Sequence, residues 1–234
     1  MRQAYNVGNL GGNLAAVGGD VPDFGSASRE FDGNDYIGIA SPGNSYTEAT
    51  IFVRLKTSTK PGSFGGLFYS GYGGNGATYL GLVMDSSGRI RADMDNGWSL
   101  NLVYSNDVAD GDWHSVALVM RITGANIIGD LYIDGAYVNS TPLPRPASTF
   151  TSTAEWQFGR LTKYYFTGNL ADGRFYSRAI STIEIADLAA GTDIDSTGLE
   201  GWWLLNDDDV LDYSGNGNDG TNYGSAYSTD GPLD

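Results

Sequence analysis

Hydrophobic and polar positions alternate along most of this chain with a period of two. Ala49, Ile51, Val53 and Leu55 interleave with Thr50, Phe52, Arg54 and Lys56, as in a strand that buries one face. Residues 113–121 are more uniformly apolar and predict a central strand. Further strands are predicted at 66–70, 78–84, 89–94, 100–104, 155–160 and 169–176. A turn around Gly33 precedes a short strand that ends at Ile39. Asp134-Gly135, flanked by Leu131-Tyr132-Ile133 and Ala136-Tyr137-Val138, predicts a hairpin. Pro142, Pro144 and Pro146 predict that the chain then breaks into a loop. One helix stands out. Ser181-Thr182-Ile183-Glu184 reads as a capping box, Ile185, Leu188 and Ala189 share a face, and Gly191 supplies a stop. Many short strands and a single short helix give an all-β fold, a two-sheet antiparallel jelly-roll sandwich.

The composition narrows the function classes. The length of 234 residues suits one large sandwich or two small domains. The net charge of -15, from 13 Lys and Arg against 28 Asp and Glu, excludes a nucleic-acid partner and an anionic membrane surface. The acidity is nearly all Asp, because the only Glu residues are Glu30, Glu48, Glu155, Glu184 and Glu200. Asp favours turns and calcium loops. Absence of Cys removes disulfides, zinc-thiolate sites and thiol catalysis. No run is long enough to insert into a bilayer. No signal peptide is visible after Met1, where Arg2-Gln3-Ala4-Tyr5-Asn6 leads into glycines. The expectation is an extracellular or virion-surface location, reached by another route, after removal of a leader or by release from a lysed cell, with a cytoplasmic chain as the remaining option.

Candidate chemistry concentrates in loops. Near the end, Gly201-Trp202-Trp203-Leu204-Leu205 runs into Asp212-Tyr213-Ser214-Gly215-Asn216-Gly217-Asn218. Short oxygen-bearing side chains and glycines suit a structural Ca2+ held by Asp212, Asn216 and Asn218, with Asp172 from a neighbouring loop. A tight turn without metal is the competing reading. Glycan binding needs aromatic faces for sugar C–H groups and planar polar groups for hydroxyls. Trp98 with Asp95 and Asn96, and Tyr72 with Tyr69 and Tyr79, are the candidates. His114, the only histidine, is read as a hydrogen-bonded structural residue. A glycosidase would need two carboxylates across a scissile bond. Only Asp93 and Asp95 offer such a pair, and no Glu cluster does.

Several segments resemble one family. Phe31-Asp32-Gly33-Asn34-Asp35-Tyr36-Ile37, Trp113-His114-Ser115-Val116-Ala117, Leu131-Tyr132-Ile133-Asp134-Gly135 and Phe166-Thr167-Gly168-Asn169-Leu170-Ala171-Asp172-Gly173-Arg174-Phe175-Tyr176 resemble, in order, motifs of the laminin-G-like branch of the concanavalin A-like lectin/glucanase superfamily. The resemblance implies a concanavalin A-like jelly roll. It departs at Ala171, where the family usually carries Asp. The Trp202-Trp203 segment with its Ser-Gly-Asn-Gly loop is a fifth match, but it comes last instead of first. It is expected to close one sandwich spanning 1–234, with residues 199–234 lying next to the N-terminus. A second copy that begins and stops, or pairing with a neighbouring subunit, are the other options. The resemblance and the loop chemistry together imply a non-catalytic carbohydrate-binding or adhesion module with a surface glycan or polysaccharide as partner. The alternative is a structural virion protein, a capsid decoration or tail-fibre component that binds protein. A glycoside hydrolase or lyase comes third.

Overall fold

The computed structural model describes residues 25–41, 43–70, 80–94, 102–104, 106–124, 126–144, 149–151, 155–206 and 210–233. The strands are β1 (Ser28–Asp32), β2 (Tyr36–Ile39), β3 (Ser45–Tyr46), β4 (Glu48–Lys56), β5 (Phe64–Ser70), β6 (Leu80–Asp85), β7 (Ile90–Met94), β8 (Leu102–Val103), β9 (Trp113–Thr123) and β10 (Asn126–Ile133). They continue as β11 (Ala136–Pro144), β12 (Phe150–Thr151), β13 (Trp156–Phe158), β14 (Arg160–Leu161), β15 (Tyr164–Tyr165) and β16 (Thr167–Tyr176). After helix α1 (Thr182–Ala189) come β17 (Leu199–Trp203), β18 (Gly220–Tyr223) and β19 (Ala226–Ser228).

Two antiparallel sheets form. The first runs β11-β10-β9-β4-β16-β1-β19, with β17 also paired to β16, and the second runs β18-β2-β13-β5-β6-β7-β8. The alternation read from β4 decides which side chains meet. Val53, Leu55, Val116 and Leu118 of the first sheet share one core with Ile37, Ile39, Leu82 and Phe158 of the second. Phe52, Ala117 and Val119 point the other way and pack under Ile185 and Leu188 of α1. The helix therefore covers the outer face of the first sheet. Its capping box is as expected, with Glu184 N–H donating to Ser181 Oγ and Ser181 N–H to the Glu184 carboxylate.

The prolines behave differently from the sequence expectation. Pro142 and Pro144 lie within β11, paired across from Ile128 and Asn126. β11 is an edge strand, so a missing N–H costs no ladder bond on its outer side. Pro146 lies outside the described residues.

The C-terminal strands enter both sheets. β17 pairs with β16, β18 with β2 and β19 with β1. β1 pairs with Thr167–Leu170 of β16 and β17 pairs with Gly173–Tyr176. The exchange occurs at a bulge in the pairing of β16 with β4, between Ala171 and Arg174, where Asp172 takes φ of 47°. Trp203 is fully buried and packs among Phe68, Trp156 and Phe158.

Candidate functional site

The outer face of the second sheet is built by the residues between the core positions of β2, β13 and β18. Ile37 and Ile39 face the core, so Tyr36 and Gly38 face out. The register then places Tyr223 beside Tyr36, and Thr221 and Gln157 on either side of Gly38. Tyr36 and Tyr223 stack with ring centroids 4.4 Å apart and planes 10° from parallel. The Arg160 guanidinium covers Tyr36 from the other side, 3.3 Å from its centroid. Arg160 Nε donates to Gln157 Oε1 at 3.1 Å, and Gln157 Nε2 donates to Glu155 Oε2 at 2.6 Å. Glu155 lies across Gly38, where any Cβ would collide with its carboxylate. The result is an aromatic stack continued by a hydrogen-bonded chain of planar polar groups. Tyr223 remains 45% exposed, so one ring face is open. Such a surface presents C–H-binding and hydroxyl-binding groups side by side.

This face was not legible as a site. Tyr36 sits in the first family-like motif, but Tyr223, Arg160, Gln157 and Glu155 come from distant segments. The expected residues Tyr72, Tyr79, Asp95, Asn96 and Trp98 lie outside the described residues. Ser70 pairs with Trp156, and Leu80 pairs with Met94. Tyr69 is a correction: it is buried with Val83 and Leu161, under the β14–β15 hairpin, and offers no open ring. Asp93 holds a position on β7 opposite Gly81 of β6.

The expected calcium ligands separate into two structures. Asp172 is 2% exposed. Its Oδ1 accepts from Arg174 Nε at 2.6 Å and Trp202 Nε1 at 3.0 Å, and its Oδ2 accepts from Arg54 Nε at 3.4 Å. It is the counter-ion of a buried arginine pair. Asp212 organises the terminal loop. Its Oδ1 accepts from Trp202 N–H and Ser214 N–H, and its Oδ2 from Asn218 N–H and the Ser214 hydroxyl. That fills the roughly four acceptor positions of a carboxylate. Asn216 and Asn218 both turn their Nδ2 groups to the Glu200 carbonyl. This hydrogen-bonded arrangement does not fit a calcium site. Among the described residues no cluster of three or more His, Asp or Glu side chains is suited to a metal ion.

His114 is tied down as expected of a structural residue. Its Nδ1 lies 2.9 Å from Asp134 Oδ2, and its Nε2 lies 3.2 Å from Asp110 Oδ1. The hydrogen bond to Asp134 holds the imidazole pKa above its ordinary value against partial burial, with Asp110 adding to the effect.

The family assignment rests on residues 31–186, 156 of the 234, which match the family model described as Concanavalin A-like lectin/glucanases superfamily (Laminin_G_3). The chain belongs to this superfamily. No curated protein matches it. A Bacteroides ovatus ATCC 8483 protein assigned as a carbohydrate binding protein superposes with a TM-score of 0.69 at 16% identity, covering 88% of this chain and 60% of that one. This chain therefore spans less than two thirds of that relative's length. A heptameric SAP-like pentraxin of Limulus polyphemus gives 0.63 at 14% identity, over 88% of this chain and 96% of the other. The CBM40 of Ruminococcus gnavus IT-sialidase, bound to alpha2,6 sialyllactose, gives 0.50 at 15% identity, over 70% and 96%. At these identities the likeness to these structures carries the fold alone.

Proposed function

We propose that this chain is a non-catalytic carbohydrate-binding module that acts outside the cell, and that the open face beside Tyr223 holds a surface glycan or polysaccharide. The observation that carries the reading is the Arg160–Tyr36–Tyr223 stack with Gln157 and Glu155 continuing it. A sugar ring lying on Tyr223 would place its hydroxyls near groups already held by hydrogen bonds. The superfamily contains carbohydrate-binding relatives, which supports the same reading. Absence of hydrolysis is supported by the carboxylates. Glycoside cleavage needs two across one bond, and the polar chain that continues the stack contains one, Glu155. Extracellular placement is supported by the usual setting of laminin-G and carbohydrate-binding domains.

The test is retention on a panel of soluble polysaccharides by affinity electrophoresis, with Tyr223→Ala beside the parent protein. A stacked aromatic is worth about 1 kcal/mol or more beyond its area. The expected result is retention by at least one polysaccharide, weakened about tenfold in the variant, with an unchanged melting temperature. A parent protein that is never retained, or a variant that binds as tightly, would overturn the reading and leave the protein-binding alternative.

A further inference from the structure

A second site lies on the other side of the sandwich. A cavity of about 500 Å³ opens on the outer face of the first sheet, between the start of β9, the β10–β11 turn and the C-terminal end of α1. Small residues make room for it, Gly135 and Ala136 in the turn and Ala186, Ala189 and Ala190 on the helix. Gly135 lets the turn lie against the helix, where a Cβ would meet Ala189 Cβ at 3.1 Å and Ala186 Cα at 3.2 Å.

The ionisable groups of the lining are Arg54, His114 and Asp134, and each already has its partners. Arg54 pairs with Asp172 and donates to the Leu188 and Ala189 carbonyls, so it offsets the negative end of α1. His114 and Asp134 bond each other, with Asp110 on the far nitrogen of the imidazole. A ligand ammonium would come up against Arg54, and a ligand carboxylate against Asp134. Either charge would lose water here without gaining a counter-ion of its own. Hydrogen-bond acceptance is what stays open. Asp134 has its side chain 51% exposed. Ser115 N–H takes its Oδ1 and His114 its Oδ2, which uses about half of a carboxylate's acceptor positions. Trp113 offers carbon, because its Nε1–H already donates to Asp230 Oδ1 at 2.9 Å, and Asp230 is itself paired with Lys56. Pro232 and Leu233 complete the apolar side.

We infer that this cavity binds an uncharged pyranose unit, with ring hydroxyls donating to Asp134 and the C–H face against Trp113. A pinned aromatic beside an accepting carboxylate matches the two kinds of surface that such a ring presents. Hydrogen bonds from hydroxyls to an ionised carboxylate are stronger than those between neutral groups, and they require no net charge on the ligand. The volume falls within the range of small-ligand sites. The site is separate from the Tyr223 face, and its test does not depend on that reading.

The experiment is an NMR titration of the whole chain with glucose, galactose and mannose, followed at the Trp113 indole N–H, which is assigned with Trp113→Phe. The amino and uronate forms of the same hexoses add a charge of either sign, and cyclohexanol supplies an apolar ring with one hydroxyl. The expected result is saturable binding of at least one neutral hexose in the millimolar range. Its charged forms and cyclohexanol should each be weaker by about tenfold. Asp134→Asn suits the positive φ of 51° at this position and removes only the charge, so it should also weaken binding by about tenfold. Ala190→Phe changes an exposed residue and fills the cavity, so it should abolish the shift with the melting temperature unchanged. Tyr223→Ala should leave the shift as it is. The proposal is overturned by no saturation below about 100 mM, which is weak even for a small ligand, or by saturation retained in Ala190→Phe. Loss of the shift in Tyr223→Ala would move the sugar to the other face and overturn it equally. A charged form or cyclohexanol that binds as tightly as the neutral hexose, or full affinity in Asp134→Asn, would overturn the assignment to an uncharged sugar held at Asp134.

Discussion

Trp202 Nε1–H donates to Asp172 Oδ1 at 3.0 Å, so a strand near the C-terminus is pinned to the point where β16 exchanges neighbours. Arg174 stacks on the Trp202 indole at 4.2 Å and shares the same carboxylate oxygen. Arg54 takes the other oxygen and carries the interaction to the end of α1. One carboxylate thus ties together β4, β16, β17 and the helix.

Removing that carboxylate should be costly. Asp172→Ala leaves Arg54 and Arg174, both buried, without their shared counter-ion. Breaking a buried pair from one side costs about 3–5 kcal/mol, which is roughly 10 °C in a domain of this size. Thermal unfolding followed by near-UV circular dichroism measures the loss. A shift of only a degree or two would mean that Asp193, which also bonds Arg174, suffices.

Asp212→Ala should destabilise the terminal loop by about 1–3 kcal/mol, because buried N–H groups lose their acceptor. Hydrogen bonds do this without a metal, so the loss should be equal with excess calcium and with chelator. A melting temperature that rises with calcium in the parent and not in the variant would show a bound ion, contrary to the hydrogen-bonded geometry.

Stability should also vary with acid. Hydrogen bonds from Arg178, then from Ser181, hold the Glu184 pKa down at about 2. A depressed carboxylate stabilises the fold fully above its unfolded value of about 4.5 and loses that contribution as pH falls towards about 2. Urea titrations of the parent and Glu184→Gln between these limits should converge at the acid end. Parallel curves would exclude the linkage.

His114 gives the opposite slope. Its raised pKa means that its contribution is complete below the ordinary value of about 6.5 and fades as pH rises through the folded value. The stability gap between the parent and His114→Gln should therefore narrow above neutrality. A gap constant from pH 6 to 9 would show that the neutral ring holds Asp134 equally well.

Local signals were readable and distant pairings were not. The alternation in β4, the Asp134-Gly135 turn and the Ser181 cap act within a few residues, so the sequence displays them directly. Pro142 and Pro144 misled because their meaning depends on whether β11 is an edge. The two-sheet sandwich followed from strand number and spacing. The exchange of β1 for β17 along β16 joins segments far apart in sequence, and no periodicity encodes it. The same applies to the candidate face. Tyr36 and Tyr223 meet only because β18 pairs with β2, and Arg160 reaches them from the start of β14. Asp172 was readable as an oxygen donor, but the two arginines that claim it face it only in the folded sheet.

The late strands also constrain synthesis. Trp203 completes the aromatic core, β18 extends one sheet, and β17 and β19 complete the other. A nascent chain that has exposed only residues up to α1 presents the Trp156 and Phe158 cluster and the flank of β16 without their partners. The sandwich should therefore stay open on the ribosome until its last strands emerge, and a chaperone that shields apolar edges would find its target in that interval.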